Sequence, residues 1–175
     1  MGRKEITQGL SVLLEEKLRN DRIKYSKEVE LIYNDKQYRV DYMAFSYPAR
    51  HGGMPYAAEQ GHLAIYEVKS CMEDYKSGHG LGFFGDTNFL ICPSILAEEL
   101  RGSLIKNCNY IYCPIPEGKT VFEEMKDPQP YTGDIEHWKL RKYMDCSNSY
   151  DSIRKISLVY ALAQMLYADY AHGWK

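Results

Sequence analysis

Two short stretches of the sequence place charged side chains inside apolar runs, and they hold the residue types best suited to chemistry. Asp41 interrupts the run Arg39–Phe45, and Glu67 and Lys69 end the run Leu63–Lys69. Side chains two residues apart lie on the same face of a β-strand, so Glu67 and Lys69 should point the same way. Because an unpaired charge on a buried strand is costly, all three groups need partners.

Spacing alone leaves two interpretations of these charges open. In the first, Lys69 forms an ion pair with Asp41 or Glu67, and the group is structural. In the second, the two carboxylates hold a hard divalent cation while Lys69 faces a phosphate group. Magnesium is bound through one or two carboxylates together with water and substrate phosphates, so the residue types suit that chemistry.

Other motifs of the sequence indicate less chemistry. The triplet Gly118-Lys119-Thr120 is similar to the end of a phosphate-binding loop, but Cys113 stands where the first glycine belongs. The glycines from Gly78 to Gly85 lack the flanking strand and helix of a dinucleotide-binding loop, and we interpret them as a turn-rich loop. The five histidines show no zinc-ligand spacing, and Cys108 and Cys113 favour buried thiols over an iron–sulfur cluster.

Periodicity and turn chemistry predict the elements that would position these residues. Leucines at helical spacing predict an amphipathic helix over residues 5–20, and an Asn-Asp-Lys turn joins two strands of a hairpin. The predicted strands are Glu28–Tyr33, Gln37–Phe45, His62–Ser70, Asn88–Cys92 and Asn109–Ile115. Short helices are expected at Cys71–Ser77 and Ser94–Arg101, the second with Ser94 as its N-cap.

The remaining segments are less regular, apart from the C-terminal one. Residues 46–61 predict a long loop, and residues 116–150 favour no definite structure. Ser152–Ala171 predicts an apolar helix with a stripe of Ile156, Val159, Tyr160, Ala163, Leu166, Tyr167 and Tyr170. Such a helix packs into the core or forms a contact between copies of the chain, and packing is the preferred alternative. The whole order predicts an α/β domain with a mixed sheet.

Length and composition indicate one globular domain over residues 1–175. The chain is 45% hydrophobic and 26% charged, which excludes disordered and fibrous classes. No apolar run reaches the roughly 20 residues of a membrane span, and no secretory signal opens the sequence. We therefore expect no membrane partner, a cytoplasmic location and free thiols at the five cysteines. The net charge of -2 gives no general attraction to nucleic acid.

An Asp on one strand followed by Glu-x-Lys at the end of the next resembles the PD-(D/E)xK nuclease superfamily. Downstream, the pair Asp74-Tyr75, then Asp86, and the strand from Asn88 to Pro93 are similar to its MmcB-like DNA-repair branch. The resemblance covers residues 28–116 and implies a restriction-endonuclease-like core, αβββαβ, over about residues 5–116, with an added C-terminal helix over about residues 151–172. It also implies a phage or bacterial enzyme of DNA repair, recombination or phage DNA metabolism.

The resemblance implies roles for individual residues. Asp41 and Glu67 would bind Mg²⁺ or Mn²⁺ together with the carbonyl of Val68. Lys69 would orient or activate the attacking water and steady the phosphate charge. A further acid often comes from the first helix or strand, and the candidates here are Glu15, Glu16, Glu28 and Glu30.

Substrate contacts are less well defined by the resemblance. Gly78 and Gly80 stand where the MmcB-like branch carries Asp and Lys, which leaves Lys76 and His79 as the nearby polar groups. The 46–61 loop carries Arg50 among several aromatic residues, and such side chains can stack on unpaired bases. We expect this loop to border the active-site cleft; a solvent loop without function is the alternative. DNA is the expected partner, and an inactive nucleic-acid- or protein-binding module of the same fold is the alternative to an enzyme.

Overall fold

The chain begins with a long helix that covers one face of a sheet. The computed structural model describes residues 2–46, 60–78, 81–146 and 154–172. Helix α1 spans Arg3–Asn20 and buries Leu10, Leu13, Leu14 and Leu18, the residues whose spacing predicted it. It packs on the sheet through Tyr42, Ala44, Ala64 and Tyr66.

Six strands of the described residues form one sheet, and their order in the sheet follows the sequence. They are β1 (Lys24–Tyr33), β2 (Lys36–Ser46), β3 (His62–Val68), β4 (Thr87–Ile91), β5 (Tyr110–Pro116) and β6 (Trp138–Asp145). Strands β1 to β3 form an antiparallel meander, β3 to β5 run parallel, and β6 returns antiparallel to β5. The predicted α/β fold with a mixed sheet is therefore confirmed.

The other described helices lie between and after the strands. They are α2 (Met72–Lys76), α3 (Ser94–Glu99), α4 (Val121–Lys126) and α5 (Leu158–His172). Helix α2 lies in the crossover between the parallel strands β3 and β4, so the expected order of helix, three strands, helix and strand is present. Helix α5 packs on the sheet face opposite α1. None of these helices has the length and apolar character needed to cross a membrane.

Three expectations from the sequence need correction. Strand β1 begins at Lys24, before the predicted Glu28, because Tyr25 and Ser26 already pair with β2. Ser94 does not cap α3: Pro93 is the N-cap, and the Ser94 hydroxyl instead donates a hydrogen bond of 2.6 Å to Glu124. The described part of residues 116–150 holds α4, which begins with a capping box, and the edge strand β6.

The C-terminal helix also differs from its prediction. Its described part begins at Leu158, whereas residues 154–157 are not helical. Its buried residues are Leu158, Ala161, Met165 and Ala168, while Val159, Leu166, Tyr167 and Tyr170 of the predicted stripe are exposed. The helix is apolar on every side, so periodicity could not tell which face is buried. Two alanines on the packed face allow close approach to the sheet. Tyr167 and Tyr170 lie outside, whereas Tyr160 packs on the core and accepts a hydrogen bond from the Ile32 N–H.

Candidate active site

Asp41 and Glu67 lie opposite each other on neighbouring antiparallel strands. Strands β2 and β3 pair Tyr42 with Tyr66, so the next position along the ladder sets Asp41 against Glu67. Both tyrosines pack under α1, and the following pair therefore faces the other side of the sheet. Asp41 also accepts a hydrogen bond of 2.8 Å from the backbone N–H of Val68. The structure thus brings the two predicted carboxyl groups together on one face.

Glu67 is fully buried, and its carboxyl group is only half satisfied. Its Oε1 accepts a hydrogen bond of 3.1 Å from the Gly82 N–H, and its side chain is 0% exposed. Its Oε2 is buried and receives no hydrogen bond from an N–H or hydroxyl donor of the described residues, while the protonated Glu67 carboxyl can share a side-chain hydrogen bond with Asp41. Burial, followed by the negative charge of Asp41, raises the pKa of Glu67 well above its usual value, and the nearby Lys69 only partly opposes this. Burial likewise raises the pKa of Asp41.

The backbone N–H of Gly82 can reach Glu67 because glycine has no side chain that would clash with its neighbours. A Cβ at this position would lie 2.7 Å from the Phe84 ring and 3.2 Å from Val40. A larger residue would therefore require the Phe84 ring or the backbone near Gly82 to move, and a backbone shift would change the hydrogen bond to Glu67. The sequence predicted a loop here, but it gave no indication that one backbone N–H of this loop reaches the site.

Lys69 is buried beside these carboxyl groups. Both Lys69 and Arg3 form ion pairs with one further acidic residue, Asp74. The Lys69 side chain is 6% exposed, and its Nζ lies 3.9 Å from Asp74 Oδ1. Asp74 also pairs with Arg3 of α1 and accepts hydrogen bonds from the backbone and hydroxyl of Ser70. Burial alone would raise the pKa of Asp74, but these donors and charges outweigh it and lower that pKa. Asp74 therefore stays ionised and anchors Lys69.

The backbone of β1 is irregular opposite Asp41. The ladder joins Lys27 to Tyr42 and Val29 to Val40, so Glu28 stands opposite Asp41. Tyr25 packs on the α1 face, yet Val29, an even number of residues later, packs on the α5 face. The alternation changes phase at Glu28, whose φ of 49° lies in the left-handed region. Such backbone strain in a non-glycine residue is concentrated at functional sites.

The remaining candidate acids separate into two groups. Glu16 is exposed and does not line the cleft. Glu30 lines the cleft, but it stands opposite Arg39 in the β1–β2 ladder and accepts a hydrogen bond from Gln37. Glu15 does line the cleft, but Lys27 at 2.6 Å and the Tyr42 hydroxyl at 2.9 Å already occupy its Oε1. Glu28 lines the cleft and stands across from Asp41, so it is the candidate that the geometry favours.

A cleft of about 1910 Å³ opens over this end of the hairpin and α1. Small-molecule pockets measure about 300–1,000 Å³, so this groove has room for a polymer. Its cationic lining residues are Arg3, Lys4, Arg19, Lys27, Arg39 and Lys69. Its acidic lining residues are Glu15, Glu28, Glu30, Asp41, Asp74 and Asp169. Asp169 and His172 come from the end of α5, and His172 Nε2 lies 4.0 Å from Glu28.

The predicted substrate contacts are placed less favourably. Lys76 is exposed at the end of α2 and is not among the described residues that line the cleft. His79, Arg50 and the aromatic residues of the 46–61 loop lie outside the described residues. The expectation that this loop borders the cleft therefore stays a prediction.

The donor set at Asp41 and Glu67 suits a hard divalent cation. The described residues contain no ready-made group of three or more His, Cys, Asp or Glu side chains. Mg²⁺ and Mn²⁺ favour oxygen donors, and Mg²⁺ is commonly held by one or two carboxylates with water and phosphate. The buried Glu67 Oε2, which receives no hydrogen bond from an N–H or hydroxyl donor of the described residues, is the atom whose charge a cation would compensate.

Sequence reasoning assigned no role to several residues that the fold brings to this site. Asp74 and Arg3 belong to different helices, and they meet only because α1 begins beside α2. Asp169 and His172 come from a segment far along the chain. The one local signal was Asp74 in the first turn of a helix after Ser70, an arrangement in which a carboxylate accepts backbone hydrogen bonds.

Comparison of the chain with protein-family models, curated proteins and solved structures finds no match. The structure establishes the α/β fold and the mixed sheet. Membership in the PD-(D/E)xK superfamily is a proposal that rests on the residues of the chain and their placement.

Proposed function

We propose that this chain is a metal-dependent nuclease of the PD-(D/E)xK type that hydrolyses phosphodiester bonds in DNA. The observation that supports it is the adjoining pair Asp41 and Glu67, with a buried Glu67 oxygen that receives no hydrogen bond from an N–H or hydroxyl donor of the described residues, beside Lys69. Buried polar atoms of a structural ion pair are normally satisfied. A site whose charge balance is incomplete in the protein alone is what a cation-dependent enzyme requires.

Each residue of the proposed site has a distinct task. Asp41, Glu67 and the Val68 carbonyl would hold Mg²⁺ or Mn²⁺. The bound cation would polarise the phosphate and make its bound water more acidic. Asp41 is oriented by the Val68 N–H and Glu67 by the Gly82 N–H, so neither carboxylate must reorganise before the reaction.

Lys69 acts on the water and the phosphate in this proposal. Its ammonium group, anchored by Asp74, donates a hydrogen bond to a non-bridging phosphate oxygen as negative charge grows there. The water oxygen would form a bond to phosphorus as the bond from phosphorus to the leaving oxygen breaks; the proton of the attacking water passes to solvent, and the leaving oxygen takes up a proton from solvent. No residue at the site suggests a covalent intermediate.

The cleft and its cations favour a nucleic-acid chain as substrate. Arg3, Lys4, Arg19 and Lys27 line the groove from α1 to β1. Because Arg3 pairs with Asp74 and Lys27 with Glu15, Lys4 and Arg19 are the cations best placed to contact phosphates. These contacts predict that binding weakens as salt concentration rises. We place the reaction in the cytoplasm, because all five cysteines are free thiols.

The charge of the cleft favours a second candidate function, an inactive binding module of the same fold. The net charge is -2, and acidic residues line the cleft beside the cations. Such a module would bind DNA or a protein without cleaving it. The two candidates differ in one measurable property, which is metal-dependent turnover.

A cleavage assay with a matched pair of variants tests the proposal. Single-stranded, duplex and branched DNA are incubated with the chain, with and without Mg²⁺ or Mn²⁺. We expect metal-dependent cleavage, and we expect Asp41→Asn to lower it by about 100-fold or more. Asp35→Asn, which makes the same change in the exposed hairpin turn, should leave cleavage intact. DNA binding without cleavage under every metal condition would support the inactive module instead.

A further inference from the structure

The outer face of α5 is a continuous apolar surface. Val159 and Tyr167 are each 64% exposed, Leu166 is 60% exposed and Tyr170 is 78% exposed. Exposed Ala163 lies among them, on the side of the helix opposite the packed residues Leu158, Ala161, Met165 and Ala168. The other large exposed hydrophobic residues of the described chain are single and lie on separate elements: Ile32, Ile95, Leu104, Phe122 and Ile135. Single residues of this kind are normal, whereas a continuous patch indicates an interaction site.

The composition of α5 differs from that of the other long helix. The exposed residues of α1 include Arg3, Lys4, Glu5, Glu16 and Arg19. Along its whole length α5 carries only Asp169 and His172 as ionisable groups other than tyrosines, and both line the cleft near its end. A helix that faced water alone would carry charges on its outer side. The outer face of α5 is therefore built for burial.

The exposed residues on the outer face of α5 have the spacing found where two helices pack along their length; we call this line of residues the seam. Val159, Ala163, Leu166 and Tyr170 follow each other at intervals of four, three and four, the a/d repeat of a two-helix contact. The two smaller side chains, Val159 and Ala163, precede the two larger ones, Leu166 and Tyr170, so an antiparallel pairing of two such helices would set small side chains against large ones. A repeat of this kind matches another helix better than it matches a flat surface.

We propose that this face binds a second copy of the same chain, with α5 of one protomer packed against α5 of the other about a two-fold axis. If all of their exposed surface were buried, the two tyrosines, the leucine and the valine would contribute at most roughly 500 Å² per protomer, hence roughly 1,000 Å² for the pair. That is the area at which specific protein interfaces begin. The face presents no Lys or Arg to an anionic lipid surface, which disfavours a membrane as its occupant.

The interface would lie beside the cleft without filling it. Ala168, Asp169 and His172 of α5 line the cleft, while the proposed seam is on the far side of the same helix. The proposal does not depend on the nuclease function, because it rests only on the exposure and spacing of residues on α5. The two proposals can therefore fail separately.

Sedimentation equilibrium, measured separately on the wild-type chain and on one variant with a charged residue in the seam, tests this inference. We expect a dimer, and we expect Leu166→Lys to give a monomer, since two buried lysines would face each other across the seam. Lysine has high helix propensity, and the residue is exposed, so the melting temperature of the monomer should change little. Leu104→Lys is the control: Leu104 is 58% exposed, close to Leu166, but lies far from α5 in sequence and should leave the dimer intact.

A cross-link locates the interface independently. Ala163→Cys should form a disulfide-linked dimer under mild oxidation, whereas Ser103→Cys on another exposed segment should not. A wild-type chain that is monomeric from micromolar to near-millimolar concentration would overturn the proposal. So would a dimer that survives Leu166→Lys, or a monomer that binds phosphatidylcholine–phosphatidylglycerol vesicles through this face.

Discussion

Two buried glutamates of this protein have the same exposure and opposite surroundings. Glu67 in β3 and Glu124 in α4 are both 0% exposed. Both oxygens of Glu124 are satisfied: Oε1 by the Ser94 hydroxyl at 2.6 Å and the Gln129 N–H at 2.7 Å, and Oε2 by Lys119 at 3.2 Å. Glu67 has the Gly82 N–H on one oxygen and no N–H or hydroxyl donor for the other among the described residues.

The comparison separates a structural carboxylate from a functional candidate. Glu124 joins α4 to the start of α3 and to Gln129, so its charge contributes to the fold. Glu67 instead lies beside another carboxyl group, and both of these groups have raised pKa values because burial disfavours their charged forms. Side by side, the two groups can share one proton through a side-chain hydrogen bond, and both can be ionised together only when a positive charge compensates them. A bound cation would compensate the negative charges of Asp41 and Glu67.

The largest expected effect is on cleavage, and it distinguishes the two glutamates. Glu67→Gln should lower metal-dependent cleavage by about 100-fold or more, because it removes the negative charge of a proposed ligand without changing the side-chain shape. The free energy of unfolding of the metal-free chain should stay the same or rise at neutral pH, since a poorly compensated buried acid is lost. Cleavage rates and denaturant unfolding of the same samples measure both effects.

The matched control is the same substitution at the other glutamate. Glu124→Gln should leave cleavage intact and lower the free energy of unfolding by about 1–3 kcal/mol, because the amide cannot satisfy all three donors around it. Two results would contradict the assignment of a structural role to Glu124 and a functional role to Glu67. One is a loss of cleavage in Glu124→Gln, and the other is a Glu67→Gln variant that destabilises the metal-free chain as much as Glu124→Gln does.

The second prediction concerns the pH dependence of stability. The ordinary pKa values are 3.8 for Asp41 and 4.5 for Glu67, and both are raised in the folded chain. The folded state thus binds these protons more tightly than the unfolded state. Their contribution to stability is complete below the ordinary values and is lost as pH rises through the raised ones. Without metal, the wild type should therefore lose stability relative to Glu67→Gln as pH increases.

Adding Mg²⁺ should reverse this trend. A cation that binds the ionised pair stabilises the folded chain, and it does so more strongly at higher pH because it competes with protons. Thermal unfolding of the wild type and Glu67→Gln, with Mg²⁺ and with a chelator, measures the effect. A pH dependence that is the same in both proteins, with or without Mg²⁺, would show that Glu67 neither titrates on unfolding nor binds the metal.

The sequence predicted the central pair of the site because strand periodicity is simple. Alternation by two put Glu67 on the face of β3 away from Tyr66 and α1, and the antiparallel pairing of the consecutive strands β2 and β3 brings Asp41 beside it. The same reasoning could not find the phase change at Glu28, because no residue type there demands a left-handed backbone.

Other parts of the site depended on contacts between distant segments. Asp74 meets Arg3 across a separation of 71 residues, and Ser94 meets Glu124 across 30. Ser94 therefore donates to Glu124, although local rules assign it to a helix cap. In α5 the composition was apolar on all sides, so only packing on the sheet decides which residues are buried. Local patterns predict elements well, and they predict side-chain partners only within an element or a hairpin.

The smallest expected effect concerns the backbone strain opposite Asp41. Glu28 and Asn34 both have a φ of 49°, but Asn34 lies in the hairpin turn, where asparagine tolerates that conformation. Glu28→Gly removes the Cβ clash that the left-handed region imposes, while glycine adds entropy to the unfolded chain. The free energy of unfolding should therefore rise by at most about 1 kcal/mol.

Cleavage by Glu28→Gly should fall for two reasons. The variant loses the carboxyl group opposite Asp41, and the more flexible glycine backbone no longer fixes the position of β1 at this point. Asn34→Gly, at the same φ, should change neither stability nor cleavage appreciably. Denaturant unfolding and the cleavage assay, applied to both variants, separate strain from function. If Glu28→Gly keeps full cleavage and loses stability, then Glu28 is an ordinary strand residue, and the contrast with Glu124 rests on Asp41 and Glu67 alone.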